Sequence, residues 1–281
     1  MKLHIIDAGH FKLDGGAMFS VVPKVLWEKL IPADSNNHIP LAMRCLLIET
    51  EDRRILIDCG MGDKQDTRWQ GFYYRHGEGD LIGSLDKAGF GAETITDVIP
   101  SHLHFDHCGG AVQWNQRRDG YELTFPNATY WAHREHWEWA MRPNPREKAT
   151  FLTENLQPIQ QSGHLQFLDE KKQAFGPFIE FLVMDGHTEK MLLPKIQLGQ
   201  QTVVFTADLI PTVAHVPVNY LMSYDVRPLQ TMLEKEAFLR QAVQENWILV
   251  SDHDATHEAL TVQETEKGFR VKESGKLSEF I

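Results

Sequence analysis

The apolar positions of this chain come in short runs, and several of those runs end in chemistry. Residues 3–8 open with Leu3-His4-Ile5-Ile6 and predict a first strand. Residues 41–49 and 54–58 are β-rich and are joined by Thr50-Glu51-Asp52-Arg53, a polar connection of hairpin length. Strands are also predicted at 95–100, 128–132 and 178–184, at 191–198 and 201–206 as a hairpin about Gly199-Gln200, and at 247–250. Helical patterns cover 81–88 (closed by Gly89), 133–141 (broken by Pro143 and Pro145), 146–162 (ending near Gly163) and 229–245. Asp14-Gly15-Gly16 reads as a turn or loop, and 17–40 as irregular, interrupted by Pro23, Pro32 and Pro40. With no repeat, low-complexity tract or linker, one domain over 1–281 is the expected organisation.

The residues just past the strand ends carry more information than the strands themselves. The run at 95–100 leads into Ser101-His102-Leu103-His104-Phe105-Asp106-His107-Cys108-Gly109-Gly110, where four metal-binding side chains lie within six positions. In extended backbone His102 and His104 fall on one side and Leu103 and Phe105 on the other. Imidazole suits zinc, iron and manganese, and carboxylate suits the harder of these ions. Three later apolar strands end in His187, Asp208 and His253. Taken singly, these could be a turn histidine, a cap and a surface histidine. Strands of one sheet can end at a common edge, however, and His102, His104, Asp106, His107, His187, Asp208 and His253 together exceed what one closed tetrahedral site needs. The surplus points to two metals with room for water between them. Cys108 is read as a small buried hydrophobe rather than a ligand, and His133 and His136 as surface or packing residues. His38, His76 and His215 fall in predicted pocket loops. The aromatic stretch Trp69, Phe72, Tyr73 and Tyr74 reads either as a loop packed on the core or as a lid or homodimer contact.

Composition narrows the function classes. With Lys+Arg 28 and Asp+Glu 39 the net charge is −11, which disfavours a nucleic-acid partner. Hydrophobic residues at 42% and charged residues at 24% fit a soluble globular protein. No apolar run approaches the ~18 residues of a membrane span, and the N-terminus shows no secretory signal pattern. Cys45, Cys59 and Cys108, odd in number and far apart, read as reduced thiols. A cytoplasmic location without a membrane partner is therefore expected.

The motif His102-x-His104-x-Asp106-His107, followed in order by His187, Asp208 and His253, resembles the metallo-β-lactamase-fold hydrolase superfamily over nearly the whole chain. The resemblance implies an α/β fold, a four-layer αββα sandwich with the metals at one edge of the sheets. It implies that His102, His104 and His187 hold one metal, that Asp106, His107 and His253 hold the other, and that Asp208 bridges them. Asp58 would support the ligands from behind. Two divalent ions, zinc foremost with manganese or iron as alternatives, are the implied cofactors.

Within the superfamily the chain is most similar to the branch of N-acyl homoserine lactone lactonases and methyl parathion hydrolase relatives. Thr206-Ala207-Asp208-Leu209-Ile210-Pro211-Thr212 with Ala214-His215-Val216-Pro217 is similar to a lactonase-like subgroup. One position departs from it: the best-known lactonases carry a tyrosine three residues after the bridging aspartate, where this chain has Pro211, and Tyr220, Tyr224 or His215 would have to substitute. The implied reaction is opening of a lactone by a metal-bridging hydroxide, with Asp106 carrying the proton to the leaving alkoxide. The partner is then a small-molecule lactone or ester. Phosphotriester or carboxylic ester hydrolysis at the same site is the alternative, and a non-catalytic protein that metal only stabilises is a third reading.

Overall fold

The computed structural model describes residues 1–168 and 175–281. Its strands in chain order are β1 (Lys2–Asp14), β2 (His38–Glu49), β3 (Arg54–Ile57), β4 (Asp97–Ile99), β5 (Val112–Trp114), β6 (Tyr121–Leu123) and β7 (Thr129–Ala132). They continue with β8 (Leu165–Phe167), β9 (Ile179–Met184), β10 (Met191–Leu198), β11 (Gln201–Phe205), β12 (Ile248–Val250), β13 (Ala259–Thr265) and β14 (Gly268–Gly275). One six-stranded sheet has the order β1-β2-β3-β4-β7-β8, another β14-β13-β12-β11-β10-β9, and β5 and β6 form a small pair. The α/β class expected from the sequence is thus what the chain adopts.

The two predicted hairpins form in register. Leu46 faces Ile57 across β2 and β3, and Leu198 faces Gln201 across a two-residue turn in which Gly199 takes φ 61°. Of the strands that deliver the candidate ligands, β4 and β12 are short and fully buried, and β11 is buried over its last three residues. β3, β4 and β7 run parallel to one another, as do β11 and β12, the arrangement in which unbroken apolar runs are expected.

The helices are α1 (Gly15–Phe19), α2 (Lys24–Trp27), α3 (Thr67–Phe72), α4 (Leu81–Lys87), α5 (Phe105–Cys108), α6 (Arg134–Met141), α7 (Thr153–Ser162) and α8 (Pro228–Glu245). α8 starts with proline at its first position and stops at Asn246 in the left-handed conformation, so both ends are encoded locally. Its inner face carries Phe238, Leu239 and Ala242, and Phe238 meets the Trp247 ring edge-on at 5.4 Å between centroids. No helix among the described residues is long and apolar enough to cross a membrane.

By internal contacts the chain falls into two compact units. One comprises Met1–Gly9, Met43–Phe72 and His76–Gly176, and the other His10–Ala42, Tyr73–Arg75 and Pro177–Ile281. Leu46, Ile48, Ile55, Ile57, Val98 and Ile99 are buried in the first; Ile196, Val203, Phe205, Leu249 and Val250 are buried in the second. Each such aliphatic or aromatic side chain contributes about 1.5–3 kcal/mol when fully buried.

Four expectations need correction. The helix expected over 146–162 exists only over Thr153–Ser162, because the Asn144 side chain accepts hydrogen bonds from the backbone N–H groups of Arg146 (2.9 Å) and Glu147 (3.1 Å) and winds that stretch into turns. Asp14-Gly15-Gly16 is not a free turn. Asp14 caps α1, accepting from Ala17 N at 2.9 Å. The irregular segment 17–40 contains α2 and the start of β2. The last 28 residues, for which no element was expected, hold the β13–β14 hairpin that ends the second sheet.

Candidate metal centre

In the first unit the loop after β4 is held from behind by one carboxylate. Asp58, at the exit of β3, accepts from Ser101 N (2.5 Å), Ser101 Oγ (3.0 Å) and His107 Nδ1 (2.8 Å). Since Ser101 Oγ donates to Asp58, it accepts from His102 Nδ1 at 3.1 Å. His102 and His107 are thereby fixed as Nδ1–H tautomers, and Nε2 of each is the nitrogen left to bind a cation.

His104 is held the other way round. Its Nε2 faces Glu147 Oε1 at 3.4 Å, and its Nδ1 meets His102 Nε2 at 3.0 Å. Two ring nitrogens whose protons point outward thus converge from opposite sides. Their lone pairs repel at this distance, and a cation between them satisfies both. The His102 and His107 rings lie 4.0 Å apart between centroids. Asp106, the one acid of the loop, is only partly buried and has Oδ2 3.7 Å from His107 Nε2.

Three further contacts clamp the loop. Leu103 N donates to His136 Nε2 (2.8 Å), Phe105 N donates to Thr150 O (3.0 Å), and the buried Lys64 ammonium donates to Gly109 O and Val112 O. Burial brings the Lys64 pKa down to about 8. Gly109 and Gly110 are required here, because a Cβ on either would fall 2.2 Å from Met61 O or 2.1 Å from Cys59 O. Cys108 is buried, and that burial pushes its thiol up to about 12, which suits the packing role expected of it. Trp69 stands edge-on to Phe105 at 4.9 Å, so the aromatic segment packs there, while Phe72 remains exposed.

In the second unit three strand exits converge. His187 follows β9, Asp208 follows β11 and His253 follows β12. His187 Nε2 lies 3.0 Å from Asp208 Oδ2, and His253 Nε2 lies 3.2 Å from Asp208 Oδ1, so one carboxylate faces two imidazoles. The outer nitrogens are committed: His187 Nδ1 donates to Asp225 Oδ1 (3.0 Å) and His253 Nδ1 to Ala42 O (2.8 Å). Burial opposes a proton on His187, but Asp208 and then Asp225 hold its pKa up to about 10. A cation among these groups would take over that charge. Ala207, just before Asp208, is held at φ 41°, and Asp58 at φ 61°. Both are left-handed conformations that cost a residue with a Cβ roughly 1–2 kcal/mol; one precedes a candidate ligand and the other is the carboxylate that holds the metal loop from behind.

The chemistry of the two sets fits divalent metal: imidazoles whose outer nitrogens are committed and whose inner nitrogens converge, with buried carboxylates beside them. His215 is not part of either set. It is fully buried, accepts from Thr212 Oγ1 (2.7 Å), donates to Met18 O (2.9 Å) and stacks on Phe19 at 4.4 Å. Burial, then the Lys235 ammonium, lowers its pKa to about 3. It braces the fold, contrary to the expected place in a pocket. Pro211 is also internal, and its carbonyl accepts from His253 N (3.0 Å) and Ser251 Oγ (2.6 Å). His136, expected as surface or packing, is buried and orders the loop.

Glu147, Asp225 and Lys64 had no expected role, since nothing in their spacing connects them with the ligands. Glu147 is fixed by Trp139 Nε1 (2.8 Å) and Asn144 Nδ2 (2.5 Å). Glu147→Ala is expected to weaken metal affinity about 10–100-fold by freeing the His104 ring. Glu147→Gln, which keeps an acceptor at Oε1, should lose less. Competition with a chromophoric chelator measures both.

Comparison with known proteins places this geometry. The metallo-beta-lactamase superfamily profile matches residues 40–253. An N-acyl homoserine lactonase of Bacillus cereus is 31% identical over 119 residues, 39% of this chain and 43% of that protein. The chain thus spans under half the length of the curated relatives it matches. A probable metal-dependent hydrolase from Staphylococcus aureus superposes with TM-score 0.85 at 28% identity, over 98% of this chain and 96% of that one. AidC, a dizinc quorum-quenching lactonase solved with a product, gives TM-score 0.78 at 23% identity, over 96% and 92%.

Proposed function

The chain belongs to the metallo-beta-lactamase superfamily, and we propose that it is a dinuclear metal-dependent hydrolase that opens lactones. In this reading His102, His104 and His187 hold one divalent ion, Asp106, His107 and His253 hold a second, and Asp208 serves both. The observation that carries it is the tautomer pattern. Outward partners commit Nδ1 of His102, His107, His187 and His253, and Nε2 of His104, leaving one nitrogen on each ring for a cation.

Two bound ions would supply Lewis-acid activation of water and of the substrate carbonyl. The protein's own part is orientation and proton handling. Asp58, Ser101, Glu147 and Asp225 fix the rings, and Asp106 accepts a proton and returns it to the leaving alkoxide. The lactone class is supported by the Bacillus relatives and by the lactonase among the similar structures. The buried Pro211 cannot present a hydroxyl to a lactone, so homoserine lactone recognition would need Tyr220 or Tyr224. Carboxylic esters and phosphotriesters are the alternative substrates.

The test is a screen of N-acyl homoserine lactones, simple γ-lactones, aryl esters and phosphotriesters with metal-stripped and reconstituted protein. Ring opening is expected only after reconstitution, with activity reaching its plateau at two equivalents. Equal rates with and without metal would overturn the reading.

A further inference from the structure

The seven ligands of that reading leave out one carboxylate in the same cluster. Asp252 sits between Ser251 and His253 at the exit of β12 and is buried. Its Oδ2 lies 3.7 Å from His253 Nε2. Ligand atoms of Asp208, Asp252 and His253 all lie within 4.8 Å of one another. Neighbouring residues of a regular strand point to opposite sides. Here the strand has ended at Val250 and the chain bends, so two consecutive side chains reach one point.

Ser251, His253 and Asp254 hold the bend. Ser251 Oγ and His253 N both donate to Pro211 O. Asp254 accepts from Val213 N (3.0 Å), Thr256 N (3.0 Å) and His257 N (2.8 Å). A carboxylate oxygen of Asp252 lies within 4.8 Å of one of Asp208. Burying an ionised carboxylate costs several kcal/mol unless a counter-charge or metal accompanies it. Two of them around one imidazole form a donor set for a cation.

We propose that Asp252 is an additional metal ligand, which with Asp208 and His253 makes an oxygen-rich cation position. The inference rests on the two-metal reading above. Carboxylate oxygens favour harder ions such as manganese(II) and iron(II), whereas zinc sites draw more on nitrogen and sulfur. Zinc still binds more tightly in absolute terms by the general affinity order. The effect of Asp252 is therefore a smaller zinc-over-manganese ratio.

The experiment compares the full chain with Asp252→Asn, both stripped of metal and titrated separately with manganese(II) and zinc(II) against a chromophoric chelator. Manganese electron paramagnetic resonance and metal-free thermal melts accompany the titrations. The variant is expected to lose at least about tenfold in manganese affinity, to lose markedly less for zinc, and to show an altered manganese spectrum. Its metal-free melting temperature is expected to equal or exceed that of the parent, because a buried negative charge beside Asp208 is removed. Unchanged affinities for both ions would overturn the assignment. So would equal losses for both ions together with a lower metal-free melting temperature, which mark a structural carboxylate. A parent that binds one equivalent, with manganese affinity still lowered by Asp252→Asn, would overturn the two-metal reading and leave the ligand assignment standing.

Discussion

Asp208→Ala is expected to abolish most of the hydrolysis and most of the second equivalent of metal together. The carboxylate faces His187 Nε2 at 3.0 Å with one oxygen and His253 Nε2 at 3.2 Å with the other, and in the proposed centre it serves both ions. Losing it removes the carboxylate shared between them. Metal activation of a carbonyl supplies several kcal/mol of transition-state stabilisation. At about 1.4 kcal/mol per factor of ten, the rate should fall on the order of a thousandfold or more. Metal content by atomic emission should drop to one equivalent or below. Asp225→Asn makes the contrasting case. Asp225 holds the outer nitrogen of His187 with one oxygen and accepts from Met222 N with the other, so Asp225→Asn should weaken metal binding about 10–100-fold and be rescued by excess metal. An Asp208→Ala protein with two equivalents and the parental rate would remove the bridging role.

The candidate ligands could be read from the sequence because each stands just past an apolar run, where a strand must stop and its next residues emerge at the sheet edge. That is why His102, His104, Asp106 and His107 stand out, and why His187, Asp208 and His253 could be added from far along the chain. The groups that aim those rings follow no such rule. Asp58 could be placed only through the family resemblance. His136 lies in the expected helix over 133–141, where its spacing read as surface or packing, and Glu147 in the stretch expected as a second helix over 146–162; the turns that replace the start of that second helix are those that bring Glu147 to His104 and the Thr150 carbonyl to Phe105. Asp252 was hidden by adjacency: a strand pattern assigns neighbours to opposite faces, and only the bend after Val250 brings Asp252 and His253 together. The aromatic segment offered two readings because Trp69 is packed while Phe72 is exposed, so one stretch carries both behaviours.

Asp106→Asn is expected to lower kcat for a lactone about 10²–10⁴-fold, the range of positioned acid–base catalysis. Side-chain exposure separates Asp106 from its neighbours in the loop, at 12% against 7% for His104 and 1% for His107. In the proposed centre it is the group of the loop assigned to exchange a proton with a substrate. A ligand role alone and a proton-carrying role make different predictions when the leaving group is varied. An aliphatic alkoxide needs a proton as it departs, whereas a nitrophenolate does not. If Asp106 returns the proton, the defect should be large for a γ-lactone and should shrink markedly for a nitrophenyl ester. If the carboxylate only holds metal, both substrates should suffer alike, and the defect should follow metal occupancy. The measurement is kcat for both substrates at saturating metal, with occupancy determined on the same samples. Equal defects at full occupancy would remove Asp106 from proton transfer while leaving it a ligand.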